Sequence, residues 1–228
     1  MISKEKAFKT QDVLAIAFAA YRANNGYIKD SYRFSEPDNK PIFSNKEIVK
    51  FQLIPDYRPG DFQPVRTTAE DYEAVDVSLK HFRRYTMEVL GEGLSDFQKQ
   101  IFENVTLDEV EYSKLGLLAY VPALVEREVR ENALKKKLRT EYRDSMYIGA
   151  KGDSVEGVCV ILDSHYSSHY ERYVYTADYM GNVISFWNNF EIPVGERRKF
   201  KAKVKEQTKN RLFAVNETSL NYVKVYTV

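Results

Sequence analysis

Residues 197 to 211 hold the densest run of charged groups that could meet a polyanion. Arg197, Arg198, Lys199, Lys201, Lys203, Lys205, Lys209 and Arg211 stand there against the single carboxylate of Glu206. In an extended strand alternate side chains share a face. Phe200, Ala202 and Val204 are therefore expected to turn into a core, with Lys199, Lys201, Lys203 and Lys205 projecting outward in one row about 7 Å apart. That interval resembles the phosphate repeat of an extended single strand. Lysines also blunt exposed sheet edges, so the row by itself does not define a ligand.

Flat side chains supply the second half of such chemistry. Tyr166, Tyr170, Tyr173, Tyr175, Tyr179, Phe186, Trp187 and Phe190 crowd into the segment just before the lysine row. Single-stranded nucleic acid is held by rings on which bases stack, beside cations for the phosphates. Tyr173 and Tyr175 share one face of their strand. Trp187, the lone tryptophan, is expected on the face opposite Ile184 and Phe186. About half of these rings must serve as core in so small a barrel, because strand aromatics mostly pack. The expected nucleic-acid-binding set is Lys199, Lys201, Lys203, Lys205, Lys209, Arg211, Tyr173, Tyr175 and Trp187.

Catalytic groupings are weaker. Asp163, His165 and His169 lie close in sequence, but their spacing suits a metal only on a helix, and Ser164 to Ser168 reads as a loop with no further nitrogen or thiol donor nearby. His81 sits among Lys80, Arg83 and Arg84 and reads as a surface helix residue. Gly149-x-x-Gly152 lacks the Lys-Ser/Thr of a phosphate loop. The expectation is a protein that is not an enzyme and uses no cofactor or metal.

The elements that would carry these residues change character near residue 148. Before it the pattern is helical. Asp12 to Ala23 reads as a buried, alanine-rich helix, and Thr67-x-x-Glu70 as the capping box of a helix running to Leu90. Ser95 and Asp96 open a short helix, and Thr106 or Ser113 a long one reaching Arg143 that Pro122 should kink or divide. Residues 27 to 66, with Pro37, Pro41, Pro55, Pro59 and Pro64, read as an irregular loop or short hairpin. After Tyr147 the period becomes 2, with five strand candidates: Val155 to Leu162, Arg172 to Asp178, Val183 to Trp187, Arg198 to Glu206 and Leu220 to Tyr226. Five strands in this span suit an OB barrel, a small sandwich or an SH3-like barrel.

Composition bounds the function. The chain has 228 residues, 43% of them hydrophobic and 29% charged, with net charge +1, so a polyanion surface must be local. Cys159 is alone and can form neither an internal disulfide nor a cysteine-built zinc site. No apolar run approaches the roughly 20 residues that span a bilayer, and the opening from Met1 to Lys6 does not read as a signal peptide. A cytoplasmic protein without membrane contact is expected.

Three stretches carry a family likeness. They are Leu115-Gly116-Leu117-Leu118-Ala119-Tyr120-Val121-Pro122 with Val125-Glu126-Arg127-Glu128; Gly181-Asn182-Val183-Ile184-Ser185-Phe186-Trp187; and Val194-Gly195-Glu196 leading into Lys201 to Lys205 and Asn221-Tyr222-Val223-Lys224-Val225. Over most of residues 8 to 225 the chain resembles a family of bacteriophage proteins with an N-terminal helical region and a C-terminal OB-like domain. The resemblance implies a phage setting, hence the cytoplasm of a bacterial host, and an OB barrel, without naming a reaction. The expected fold class is α+β, with a helical domain over 1–147, its Pro-rich part at 27–66, and a five-stranded OB-like barrel over 148–228. The expected function is non-catalytic binding of single-stranded nucleic acid, DNA first, as a replication or recombination accessory. Its helical part would dock a phage or host replication protein or build a homo-oligomer. The alternative is a protein interaction module that modulates a host or phage enzyme.

Overall fold

The computed structural model describes residues 6–33, 41–83, 94–167, 170–210 and 214–227. The chain divides into two compact units, Met1–Glu128 and Val129–Val228. The division lies upstream of the change in hydrophobic period. The cause is the second half of a long helix, which buries Leu134 and Leu138, with Tyr142 just beyond it, against Leu162, Val183 and Val215 of the strands.

In the first unit, helix α1 (Thr10–Ala23) lines its buried side with Val13, Leu14 and four alanines, whose small side chains let neighbouring helices approach closely. Helix α2 (Asn45–Leu53), capped by Ser44, stands inside the stretch expected to be irregular. The short strands β2 (Tyr32–Arg33) and β3 (Pro41–Ile42) pair in the same stretch. Helix α3 (Ala69–Arg83) is capped one residue later than the sequence suggests. The Asp71 carboxylate accepts from the Thr68 backbone N–H at 2.8 Å and from its hydroxyl, and also from Arg22 of α1 at 2.8 Å. Burial works to raise the Asp71 carboxyl, but these hydrogen bonds and the Arg22 charge outweigh it and hold the group below its ordinary range. The expected extension to Leu90 falls outside the described residues. Helix α4 (Asp96–Val105) carries a Ser95–Gln98 capping box.

Strands β1 (Ala7–Lys9) and β4 (Glu109–Glu111) pair antiparallel, so Thr106 does not open the long helix. That helix arrives as α5 (Leu115–Leu118) and α6 (Val121–Glu141). Pro122 sits in the first turn of α6, where a missing N–H leaves no bond unmade. His81 is a core residue instead of a surface one: its Nε2 lies 2.7 Å from Glu128 Oε2, and Gln98 donates to the other carboxylate oxygen at 3.0 Å.

The second unit is built on a closed barrel of β5 (Ser154–Ser167), β6 (Arg172–Tyr179), β7 (Asn182–Asn188), β8 (Arg197–Lys209) and β9 (Asn216–Thr227). Its order is β5-β6-β7-β9-β8, with β8 returning onto β5; β7 and β9 run parallel and the other pairs antiparallel. This is an OB-like arrangement. Strand β5 continues through Ser164 to Ser167, expected to be loop, because they pair with Arg172 to Tyr175 of β6. Ile161 fills the barrel while its neighbour Leu162 joins the cluster under the helix, as alternation along a strand requires, and the β5–β6 register slips by one residue between Ile161 and Asp163. Met180 and Gly181, with φ of 55° and 79°, make the tight β6–β7 turn. Gly157 is needed for a different reason: a Cβ there would collide with the Tyr179 ring, which packs edge-on to Phe200 at 5.1 Å. Cys159 is fully buried, and burial pushes its thiol up to about 11, so it packs as a small apolar group.

Tyr142 gives this unit an alkaline limit. Burial first, then the charge of Asp178 and a hydrogen bond to it, push the phenol up to about 12 from its ordinary 10.0. The folded state thus keeps a proton that the unfolded state sheds between those values. Stability from neutral Tyr142 is complete below about pH 10 and is lost as pH rises towards 12. Melting temperature followed across this range should fall more gently for Tyr142→Phe than for the wild type. Parallel curves would refute the assignment.

Candidate nucleic-acid interface

Strand parity distributes the basic segment as its sequence suggests. Phe200, Ala202 and Val204 fill the barrel, and Lys199, Lys201, Lys203 and Lys205 are exposed. The four are not electrostatically equal. Lys201 lies 3.2 Å from Glu156 across the β5–β8 pair and Lys205 lies 3.6 Å from Glu206. Lys209 is exposed. Arg211 lies outside the described residues, as does His169.

The rings divide differently from expectation. Tyr175 is 0% exposed and is not a platform for bases. Its hydroxyl donates to the Phe190 carbonyl at 2.6 Å and accepts from the Ile192 N–H at 2.8 Å. The buried phenol thereby pins the β7–β8 connection, which would otherwise leave backbone groups unpaired. Tyr173 is half-buried, its ring stacked on Tyr175 with centroids 6.3 Å apart and meeting Tyr166 edge-on at 5.0 Å. Trp187 faces out, 42% exposed, and meets Tyr170 edge-on at 5.1 Å.

Two features of strand pairing open a groove beside Trp187. The parallel β7–β9 ladder ends at Ser185 and Ser219. In the β8–β9 ladder the register then slips by one residue, between Lys203 opposite Asn221 and Lys201 opposite Lys224. The extra residue is absorbed at Tyr222, whose φ is 53°. A left-handed φ at a bulky residue costs of order 1–3 kcal/mol, and its visible result is a ring 79% exposed. The groove measures about 670 Å³ and is lined by Trp187, Asn188 and Asn189 of β7 and its end, by Leu220 to Lys224 of β9, and by Arg172 and Lys205. Its lining holds three cations and no carboxylate. Two flat rings beside three cations can take an unstacked base and its phosphates.

The groove therefore keeps Trp187 and Lys205 from the expected set and adds Tyr222, Lys224 and Arg172. Tyr222 and Lys224 read in sequence as ordinary alternation within a strand. The bulge that brings them forward is a property of pairing, with no local residue signal. Elsewhere on the barrel, Asp163 lies 3.6 Å from Arg130 and 3.8 Å from His165, an ion-pair cluster. Among the described residues no three His, Cys, Asp or Glu side chains gather as metal ligands, and no helix is long and apolar enough to cross a membrane. No protein-family model matches the chain, and neither does any curated protein or solved structure.

Proposed function

We propose that this chain binds single-stranded nucleic acid, DNA in the first instance, without catalysing a reaction on it. The carrying observation is the groove that joins Trp187 and Tyr222 to Arg172, Lys205 and Lys224 with no acidic lining residue. Phosphates would meet the three cations, and bases the two rings. The family likeness noted in the sequence adds the setting: a phage accessory of replication or recombination, acting inside a bacterial host. An OB-like barrel alone does not choose this function, since the same fold carries many; the choice rests on the groove.

Anisotropy of labelled single-stranded DNA, single-stranded RNA and duplex DNA, each at two or more salt concentrations, tests the reading. Single strands should bind and duplex should bind weakly. Each phosphate contact contributes roughly 0.7 to the slope of log K against log salt on a single strand. The triple variant Arg172→Ala, Lys205→Ala, Lys224→Ala should flatten the slope by about 2, three such contacts. Replacing Lys199, Lys201 and Lys203 should flatten it less, because they stand outside the groove lining. An unchanged slope in the first variant would remove the groove from the interface.

A further inference from the structure

Asn221 sits in the groove lining beside Tyr222, and its Oδ1 is buried without a hydrogen-bond partner. An acceptor in that state disfavours the fold unless something supplies a donor. The next residue adds a second cost, the left-handed backbone at Tyr222. Unfavourable features at adjacent positions, both lining the same groove, mark a place where the chain is held for binding more than for stability.

The chemistry of a single DNA strand limits what can satisfy this oxygen. Phosphates and deoxyriboses within the strand offer acceptors only, and Arg172, Lys205 and Lys224 suit the phosphates. Base faces suit Trp187 and Tyr222. What remains is a donor on a base edge, either the ring N–H of thymine or guanine or the exocyclic amine of cytosine, adenine or guanine, and the amine stands farther out. Oδ1 is buried in the groove lining, and the χ2 torsion of an asparagine is soft, so the amide can turn to present it when a base enters.

We infer that Asn221 reads the base that enters the groove, accepting a hydrogen bond from its exocyclic amine. The inference rests on the single-strand reading above and deepens it from non-selective stacking to selection of amino-bearing bases. RNA brings one further donor, the 2′-hydroxyl. The sugar and base sources of the donor are separable by experiment.

Cytosine and thymine make the sharpest comparison, because they are similar in size and only cytosine carries an amine, at position 4, thymine having a carbonyl there and its one donor set back at the ring N3–H. Affinities of the full chain for oligo-dC and oligo-dT should differ by about fivefold in favour of dC, the worth of roughly one net hydrogen bond. Asn221→Leu should bring the ratio to one by weakening dC while leaving dT unchanged. Asn221→Asp, which keeps an acceptor, should preserve the ratio even though its charge weakens both. Oligo-rC and oligo-rU should show the same ratio; a preference for RNA that is indifferent to base would assign the donor to the sugar and overturn the inference. A wild-type ratio of one for dC against dT, with both bound, would overturn base reading while leaving the single-strand function standing, and needs no variant to fold. Failure to bind either oligonucleotide would overturn both.

Discussion

Val204→Asp should abolish folding of the barrel, whereas Lys203→Asp, one residue away, should leave it folded. Val204 is 2% exposed among Phe200, Ala202 and Leu220, and its backbone is held on both sides, its N–H donating to Asp153 and its carbonyl accepting from Gly152 at 2.9 Å each. A carboxylate at that position meets the apolar side chains that fill the barrel. An uncompensated buried charge costs about 3–5 kcal/mol, a large part of the roughly 5–15 kcal/mol that holds a domain together. Lys203 is on the opposite face of the same strand, where an acid is solvated. Circular dichroism melts of the two variants make the comparison. A cooperative Val204→Asp melt close to that of the wild type would mean that the strand's inner and outer faces have been exchanged.

Loss of either ring in the groove should cost about 1–3 kcal/mol of single-strand affinity, or roughly 5- to 150-fold, with both Trp187→Ala and Tyr222→Ala affected. The lone tryptophan reports on itself: its fluorescence should fall as oligonucleotide fills the groove, because the ring that emits is the ring on which a base would stack. Tyr222→Ala carries a separate signature. It removes the ring while leaving a non-glycine residue at the strained φ, so affinity should drop with little gain in stability. Tyr222→Gly should lose the same affinity and melt higher, because glycine adopts that φ freely. If oligonucleotide binds with full affinity to Trp187→Ala and the wild-type emission does not move, bases do not stack here. The lysine row would then be a nonspecific anion surface at most.

What could be read from residues alone follows from how locally each property is decided. The inward and outward faces of β8 are decided by period-2 alternation, so Phe200, Ala202 and Val204 separate from the lysines by counting. The outward turn of Trp187 follows from Ile184 and Phe186 in the same way. Tyr175 could not be assigned by that rule, since its burial depends on the Phe190 and Ile192 backbone, which needs the phenol as partner. His81 has a similar history: a flanking run of basic residues suggests solvent, but Glu128, 47 positions along the chain, makes it a core residue. The α3 cap shifted from Thr67 to Thr68 because Arg22 of another helix selects Asp71 over Glu70. The groove was least legible of all. It arises from the end of one ladder and a slip in another, and neither leaves a mark on composition or spacing.

The parallel joint of β7 with β9 has a kinetic meaning. It joins Val183, Ile184 and Ser185 to Glu217, Thr218 and Ser219, bolted by Ser185 to Glu217 at 2.5 Å and to Ser219 at 2.9 Å. The β5-β6-β7 meander and the β8–β9 pair can each form between chain neighbours, but this joint closes only after both exist and must recover loop entropy with three residue pairs. With three residue pairs it is the shortest ladder of the barrel among the described residues, and local opening is expected to begin there. Opened there, β7 and β9 would each present an unpaired border of the kind on which sheets pair edge to edge. Ligand lying along the neighbouring groove would favour the shut form by mass action, so any such edge pairing should fall as ligand is added.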